Sequence, residues 1–129
     1  MDTNYLVIDT SIIIEFLRSK DKKLTSLYLI PNDKIICITT VSIYELYIGA
    51  TDKIKWKDVK LLTEDLLTLS FDANVSMEAA KIYHQLRTDN KMIEFRDIFI
   101  AATCIINKMP LLTLNKKHFS RIKSLEIIY

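Results

Sequence analysis

Glycine is almost missing: Gly49 is the single glycine among 129 residues, where average usage predicts about nine. Loops that cradle phosphates place two or three glycines within a short span, so that backbone amides can approach the anion. This chain cannot supply them, and nucleotide binding by a P-loop or a dinucleotide fingerprint is excluded. Cysteine is as scarce. Cys37 and Cys104 each lie inside an apolar run, too few for a disulfide framework or a cysteine-rich zinc site. The two could pair with each other, but free buried thiols of a reducing compartment are the expectation. The two histidines, His84 and His118, lie far apart, without the short spacings of zinc ligands. Long apolar runs are absent too: the longest uncharged stretches, Ile35–Tyr44 and Ile98–Asn107, fall well short of the roughly 18 residues of a membrane span. The first residues carry no basic lead-in to a signal segment. No membrane association is expected, and a cytoplasmic location is.

What remains is half apolar with a net charge of +2. A chain of this length forms one domain, taken as residues 1–129, and can bury about two thirds of its unfolded surface. The net charge is too small to point to nucleic acid by itself. Lys116, Lys117, Arg121 and Lys123 gather without an acid among them, as a solvated segment or a phosphate-binding patch, and composition does not choose between the two.

Short apolar runs alternate with segments of helical period. Tyr5–Ile8 reads as a buried strand closed by Asp9, and Ser11–Leu17 as a helix. The polar Ser19–Lys23 precedes an apolar segment, Leu24–Ile30, and Pro31-Asn32-Asp33 is a turn. Ile35–Ile38, rich in β-branched residues, is a second strand, followed by a helix through Tyr44–Ala50. Lys55–Leu67 reads as helical and Leu67–Phe71 as a third strand. Asp72 or Asn74 caps a helix whose stripe Val75, Ala79, Ile82, Leu86 keeps helical spacing. Ile98–Ile106 is apolar on every face and reads as a buried helix. Leu111–Leu114 and Leu125–Ile128 complete the strands. Strands apolar throughout, each followed by helices, imply a sheet covered on both faces. The expectation is an α/β fold, a three-layer α/β/α sandwich with a mainly parallel sheet of four to five strands.

Three acids stand in or against apolar stretches, where an unpaired carboxylate is costly. Asp9 ends the first strand as a helix cap or as part of a site, since ligands of open α/β sheets bind outside the strand carboxyl ends. Glu45 forms a capping box with Ser42, or lies inside a helix capped by Thr39 or Thr40, with small Ser42 and Gly49 leaving room beside it. Asp97 opens the buried helix, as an ordinary partner of the helix dipole or as a site residue. Asn115 ends the fourth strand. If the three acids converge, their like charges require a cation or raised pKa values. Oxygen ligands without histidine or cysteine select Mg²⁺ or Mn²⁺, and such an ion suits phosphoryl chemistry.

The segments Val7-Ile8-Asp9-Thr10-Ser11, Ser42-Ile43-Tyr44-Glu45-Leu46, Asp97-Ile98-Phe99-Ile100-Ala101-Ala102 and Thr113-Leu114-Asn115-Lys116-Lys117-His118-Phe119 together resemble the PIN-domain family, in particular its VapC-type toxin ribonucleases. The resemblance covers essentially the whole chain. It implies that Asp9, Asp97 and Glu45 hold the metal ion, with Asn115 as the fourth polar position of the catalytic set. Thr10 or Ser11, and Thr113, resemble hydroxyl positions that steady the site, and Arg96 and Lys116 are candidates to meet substrate. It further implies a metal-activated water that cleaves RNA to a 5′-phosphate and a 3′-hydroxyl, an antitoxin partner whose tail enters the cleft, and a homodimer. Asn115 is neutral where the family often has an acid, which leaves the number of ions open. Arg96 stands where small or polar residues are commoner, either clamping a phosphate or pairing with Glu94, and the ion pair is the expectation.

Two other classes compete. A receiver domain would use Asp72 as phosphoacceptor and Lys116 at a later strand end, but its acidic pair after the first strand is missing, since Thr10 follows Asp9. A non-catalytic scaffold that binds RNA or protein would have to tolerate three unneutralised acids.

Overall fold

The computed structural model describes residues 4–128. Five strands form one sheet in the order β3-β2-β1-β4-β5, and every neighbouring pair is parallel. The strands are β1 (Tyr5–Ile8), β2 (Ile35–Thr39), β3 (Leu67–Leu69), β4 (Leu111–Leu112) and β5 (Ile127–Ile128); the helices are α1 (Thr10–Arg18), α2 (Thr40–Gly49), α3 (Lys53–Thr63), α4 (Ala73–Thr88), α5 (Phe95–Ile106) and the one-turn α6 (Lys116–Phe119).

Strand side chains alternate between faces, and here each face has its own core. Val7, Cys37 and Leu111 pack with Val75, Ala79, Ile82 and Leu86 of α4 and with Ile98 to Cys104 of α5. The next residues along the same strands, Ile8, Ile38 and Leu112, pack with Ile12 and Ile13 of α1, Leu46 of α2 and Val59 of α3. These are the three layers expected from strands apolar on both faces. The cysteines are free and buried. Among the described residues, no helix is long and apolar enough to cross a membrane.

Several expected boundaries shift. Helix α3 begins at Lys53 because Asp52 caps it, its Oδ1 accepting from the Lys55 amide at 2.8 Å, and it ends at Thr63 rather than running to Leu67. Strands β3, β4 and β5 are shorter than their apolar runs: Leu114, expected in the fourth strand, is 51% exposed. Leu24–Ile30 forms no regular element beyond the 3-10 turn Lys22–Leu24, and Leu24 and Leu29 are exposed. Helix α5 starts at Phe95, so Asp97 lies in its first turn rather than opening it. Asp72 caps α4, its Oδ1 accepting from Val75 N at 2.9 Å.

The order of the strands locates the crevice. The chain builds outward from β1 to β3, then crosses back to place β4 on the other side of β1. In open parallel sheets the ligand crevice lies outside the strand carboxyl ends where the order reverses. Here that point is the end of β1 and β4, at Asp9 and Thr113.

Candidate active site

Asp9 caps α1 and is also the centre of a hydrogen-bond network. The residue is 5% exposed. Its Oδ1 accepts from the Thr10 amide at 2.8 Å, which caps α1. Its Oδ2 accepts from Ser11 Oγ at 2.9 Å and from Thr113 Oγ1 at 2.8 Å. The second of these bonds joins residues 104 positions apart and ties the ends of β1 and β4 together. Three donors on one carboxylate fix its orientation. Ser11 Oγ also accepts from Leu114 N at 3.1 Å, and Thr113 Oγ1 from Asn115 N at 2.9 Å, so the loop after β4 is held by the same hydroxyls. Ser11 and Thr113 thus hold both Asp9 and the loop after β4.

Glu45 lies inside α2. The cap is Thr39, whose Oγ1 accepts from Ser42 N at 3.1 Å, and the capping-box alternative is set aside. Glu45 Oε1 accepts from Thr10 Oγ1 at 2.8 Å, while Oε2 faces Arg96 Nε at 3.7 Å. Arg96 also reaches Glu94 at 3.7 Å. The expected pair with Glu94 is therefore present, together with one to Glu45, and the guanidinium side chain stays 46% exposed. Ser42 is buried and bonded to Thr39 Oγ1. Of the two small neighbours expected beside Glu45, Gly49 lines a cleft of about 360 Å³ with it, bounded also by Leu17, Arg18, Lys55 and Asp58.

Asp97 enters from the first turn of α5. Its carboxyl is pushed up from 3.8 to about 6, first by burial, then by the negative charges of Asp9, Glu45 and Glu94, while Arg96 acts in the opposite direction. Asp97 thus lies close enough to both Asp9 and Glu45 to feel their charges. The convergence is looser than expected of a three-carboxylate cage. Among the described residues, no three acidic, histidine or cysteine side chains are gathered tightly enough to hold an ion by themselves. Glu45 spends its oxygens on Thr10 and Arg96. Asp97 has no hydrogen-bond partner among the described residues. A half-buried oxygen donor, raised by surplus negative charge, suits a hard divalent cation that keeps several waters of its own.

Asn115 sits at the same end, before α6, and its Nδ2 lies 2.9 Å from His118 Nδ1. His118 went unassigned in the sequence because only the one-turn helix α6 brings it back three residues to Asn115. Lys116 opens α6 beside them. The basic cluster as a whole does not form one patch: Arg121 donates to Met92 O at 3.1 Å, and Lys123 lies 3.9 Å from Asp89.

Comparison with known families matches residues 6–125 to the PIN domain. The chain belongs to the PIN-domain family. Ribonuclease VapC1 of Methanocaldococcus jannaschii is 32% identical to this PIN domain over 119 residues, 92% of this chain and 81% of the relative. Ribonuclease VapC of Rickettsia bellii is 32% identical over 131 residues, 95% and 94% of the two chains. Among solved structures, VapBC2 from Rickettsia felis bound to a DNA fragment from their promoter has a TM-score of 0.86 with 96% of this chain and 97% of that one covered, at 21% identity. For VapBC-1 from nontypeable Haemophilus influenzae the TM-score is 0.81 at 25% identity, with 96% of each chain covered. Membership of the PIN family removes the receiver alternative.

Proposed function

We propose that this PIN domain is a divalent-metal-dependent endoribonuclease that acts as the toxin of a toxin–antitoxin pair. The observation that carries the reading is the meeting of Asp9, Glu45 and Asp97 where the strand order reverses, with Asp97 raised first by burial and then by its acidic neighbours. Relatives named as ribonucleases VapC support it, and the likeness to VapBC structures supports a partner antitoxin. A homodimer belongs to the same proposal.

In this reading Asp9 and Asp97 hold Mg²⁺ or Mn²⁺, with Glu45 and Asn115 acting at its margin. When bound, such an ion supplies a water of lowered pKa and offsets charge developing on the phosphate. The protein's own part is orientation. Ser11 and Thr113 lock Asp9, Thr10 locks Glu45, and the half-exposed Arg96, poised between two acids, offers its guanidinium face to a phosphate. Lys116 stands where it can meet the same strand.

The test is cleavage of an end-labelled single-stranded RNA in Mg²⁺. Losing a group that merely orients a metal ligand costs about 10–100-fold, so Asp9→Asn and Asp97→Asn are expected to lower the rate by more than about 100-fold while circular dichroism stays unchanged. Full activity of either variant at saturating Mg²⁺ overturns the site. No cleavage by the parent chain in Mg²⁺ or Mn²⁺ turns the reading to the scaffold.

A further inference from the structure

Helix α3 carries four lysines, Lys53, Lys55, Lys57 and Lys60, against the single acid Asp58, in a chain whose whole net charge is +2. Three of them, Lys53, Lys57 and Lys60, recur at i, i+4 and i+7 and share one stripe of the helix. All three are exposed, and none forms an ion pair among the described residues. At the edge of that stripe, one turn before Lys60, stands Trp56. On the far side of Trp56 from the lysines, Val59 and Thr63 of α3 are buried, so Trp56 stands where the outward stripe meets the packed face.

Lysines alone would be an ordinary solvated surface. Trp56 makes the difference. It is 52% exposed, an uncommon position for the largest apolar side chain, and it is not loose: its ring rests on Tyr47 of α2 with centroids 4.3 Å apart and planes tilted by 44°. One side of the indole is thereby backed, and the rest is open to water between unpaired cations. A backed aromatic face flanked by free lysines matches the two requirements of a sequence-tolerant single-strand site, a stacking platform for a base and cations for the adjoining phosphates. We propose that the Trp56–Lys53–Lys57–Lys60 face of α3 is a binding site for single-stranded RNA outside the carboxylate crevice. The proposal deepens the ribonuclease reading by naming where the substrate strand is held away from the cut.

Trp56 is also the sole tryptophan of the chain, so its fluorescence reports on this face directly. The experiment titrates a short uridine oligoribonucleotide into the full-length Asp97→Asn protein, which prevents cleavage during the measurement. Saturable quenching of Trp56 is expected. The triple variant Lys53→Gln/Lys57→Gln/Lys60→Gln, all at exposed positions, is expected to bind at least tenfold more weakly and to lower the slope of log affinity against log salt by about 2, as three lost phosphate contacts on a single strand predict. Read by anisotropy of a labelled oligonucleotide, since both variants lack the indole, Trp56→Phe keeps the packing on Tyr47 and retains most of the affinity, whereas Trp56→Ser loses about tenfold. RNA binding detected by anisotropy without quenching overturns the proposal, as does a triple variant with unchanged affinity and salt slope. Quenching by a partner protein but not by RNA also overturns it, making α3 a protein-docking surface. Cleavage by the parent chain, assayed separately, keeps the two readings apart: quenching without cleavage sinks the nuclease and spares α3, and cleavage without quenching does the reverse.

Discussion

At Asp97 the needs of the fold and of the site oppose each other. The unfolded chain gives up this proton near 3.8, the folded one near 6. Between those values the folded state binds more protons, so stability falls as pH rises from about 4 through 6, and the penalty is complete above that window. The group is part-exposed, and solvent screening reduces the penalty to about 1 kcal/mol. In metal-free protein at pH 8, Asp97→Asn is therefore expected to raise the melting temperature by about 3–5 °C, the gain vanishing by pH 4. A lower melting point at pH 8 would show that the carboxylate supports the fold. Such groups stand out in the sequence because an acid set against an apolar run needs a reason, and the structure brings Asp9 and Glu45 near Asp97. Cap or site stood as alternatives for Asp9; the structure shows the cap on one oxygen, with the other engaged by two hydroxyls. The sequence could not supply the Asn115–His118 contact, which depends on a single turn of helix.

The elements were legible wherever burial and local signals agreed. Strands β1 and β2 are continuous apolar runs, and α4 has both its Asp72 cap and its apolar stripe. Helix α2 reads most plainly through Tyr44–Ala50, and its start is ambiguous between a Thr39 or Thr40 cap and a Ser42 capping box, because Thr40-Val41-Ser42-Ile43 is rich in β-branched residues; the structure chooses the Thr39 cap. Strand ends were overextended because apolarity marks burial, not ladder hydrogen bonds. The shortage of glycine has its own consequence at this scale. The left-handed positions after α4 and α5 are filled by Asn90 (φ 55°) and Lys108 (φ 56°), while the one glycine closes α2, where no such conformation is required. A Cβ at Gly49 meets nothing within 4 Å. Gly49→Ala is accordingly expected to stabilise the protein by about 0.4–1 kcal/mol, through a less flexible unfolded chain, with a higher urea midpoint at unchanged m. A lower midpoint would mean that the helix end needs a freedom the observed backbone does not use.

For the whole molecule, the parallel sheet with a reversed strand order brings residues from both halves of the sequence to one crevice, and the Thr113–Asp9 bond links them. Each apolar core consequently supports the same site from its own face of the sheet. Binding there must be felt as global stability, because the unfolded chain has no crevice. An ion present at roughly 100 times its dissociation constant contributes about 2.7 kcal/mol to a site that only the folded state possesses. That exceeds the penalty of about 1 kcal/mol assigned to charged Asp97, so the order of stabilities should invert. Without divalent ions at pH 8, Asp97→Asn melts above the parent chain; with saturating Mg²⁺ or Mn²⁺ the parent melts above the variant, and chelation restores the first order. Asp72→Asn, which changes an acid at the α4 cap beyond β3, two strands from β1, should keep its offset from the parent in both conditions. Parallel shifts of parent and Asp97→Asn on adding the ion would place the cation elsewhere on the molecule, and the carboxylates at the ends of β1 and α5 would then need another explanation for their mutual repulsion.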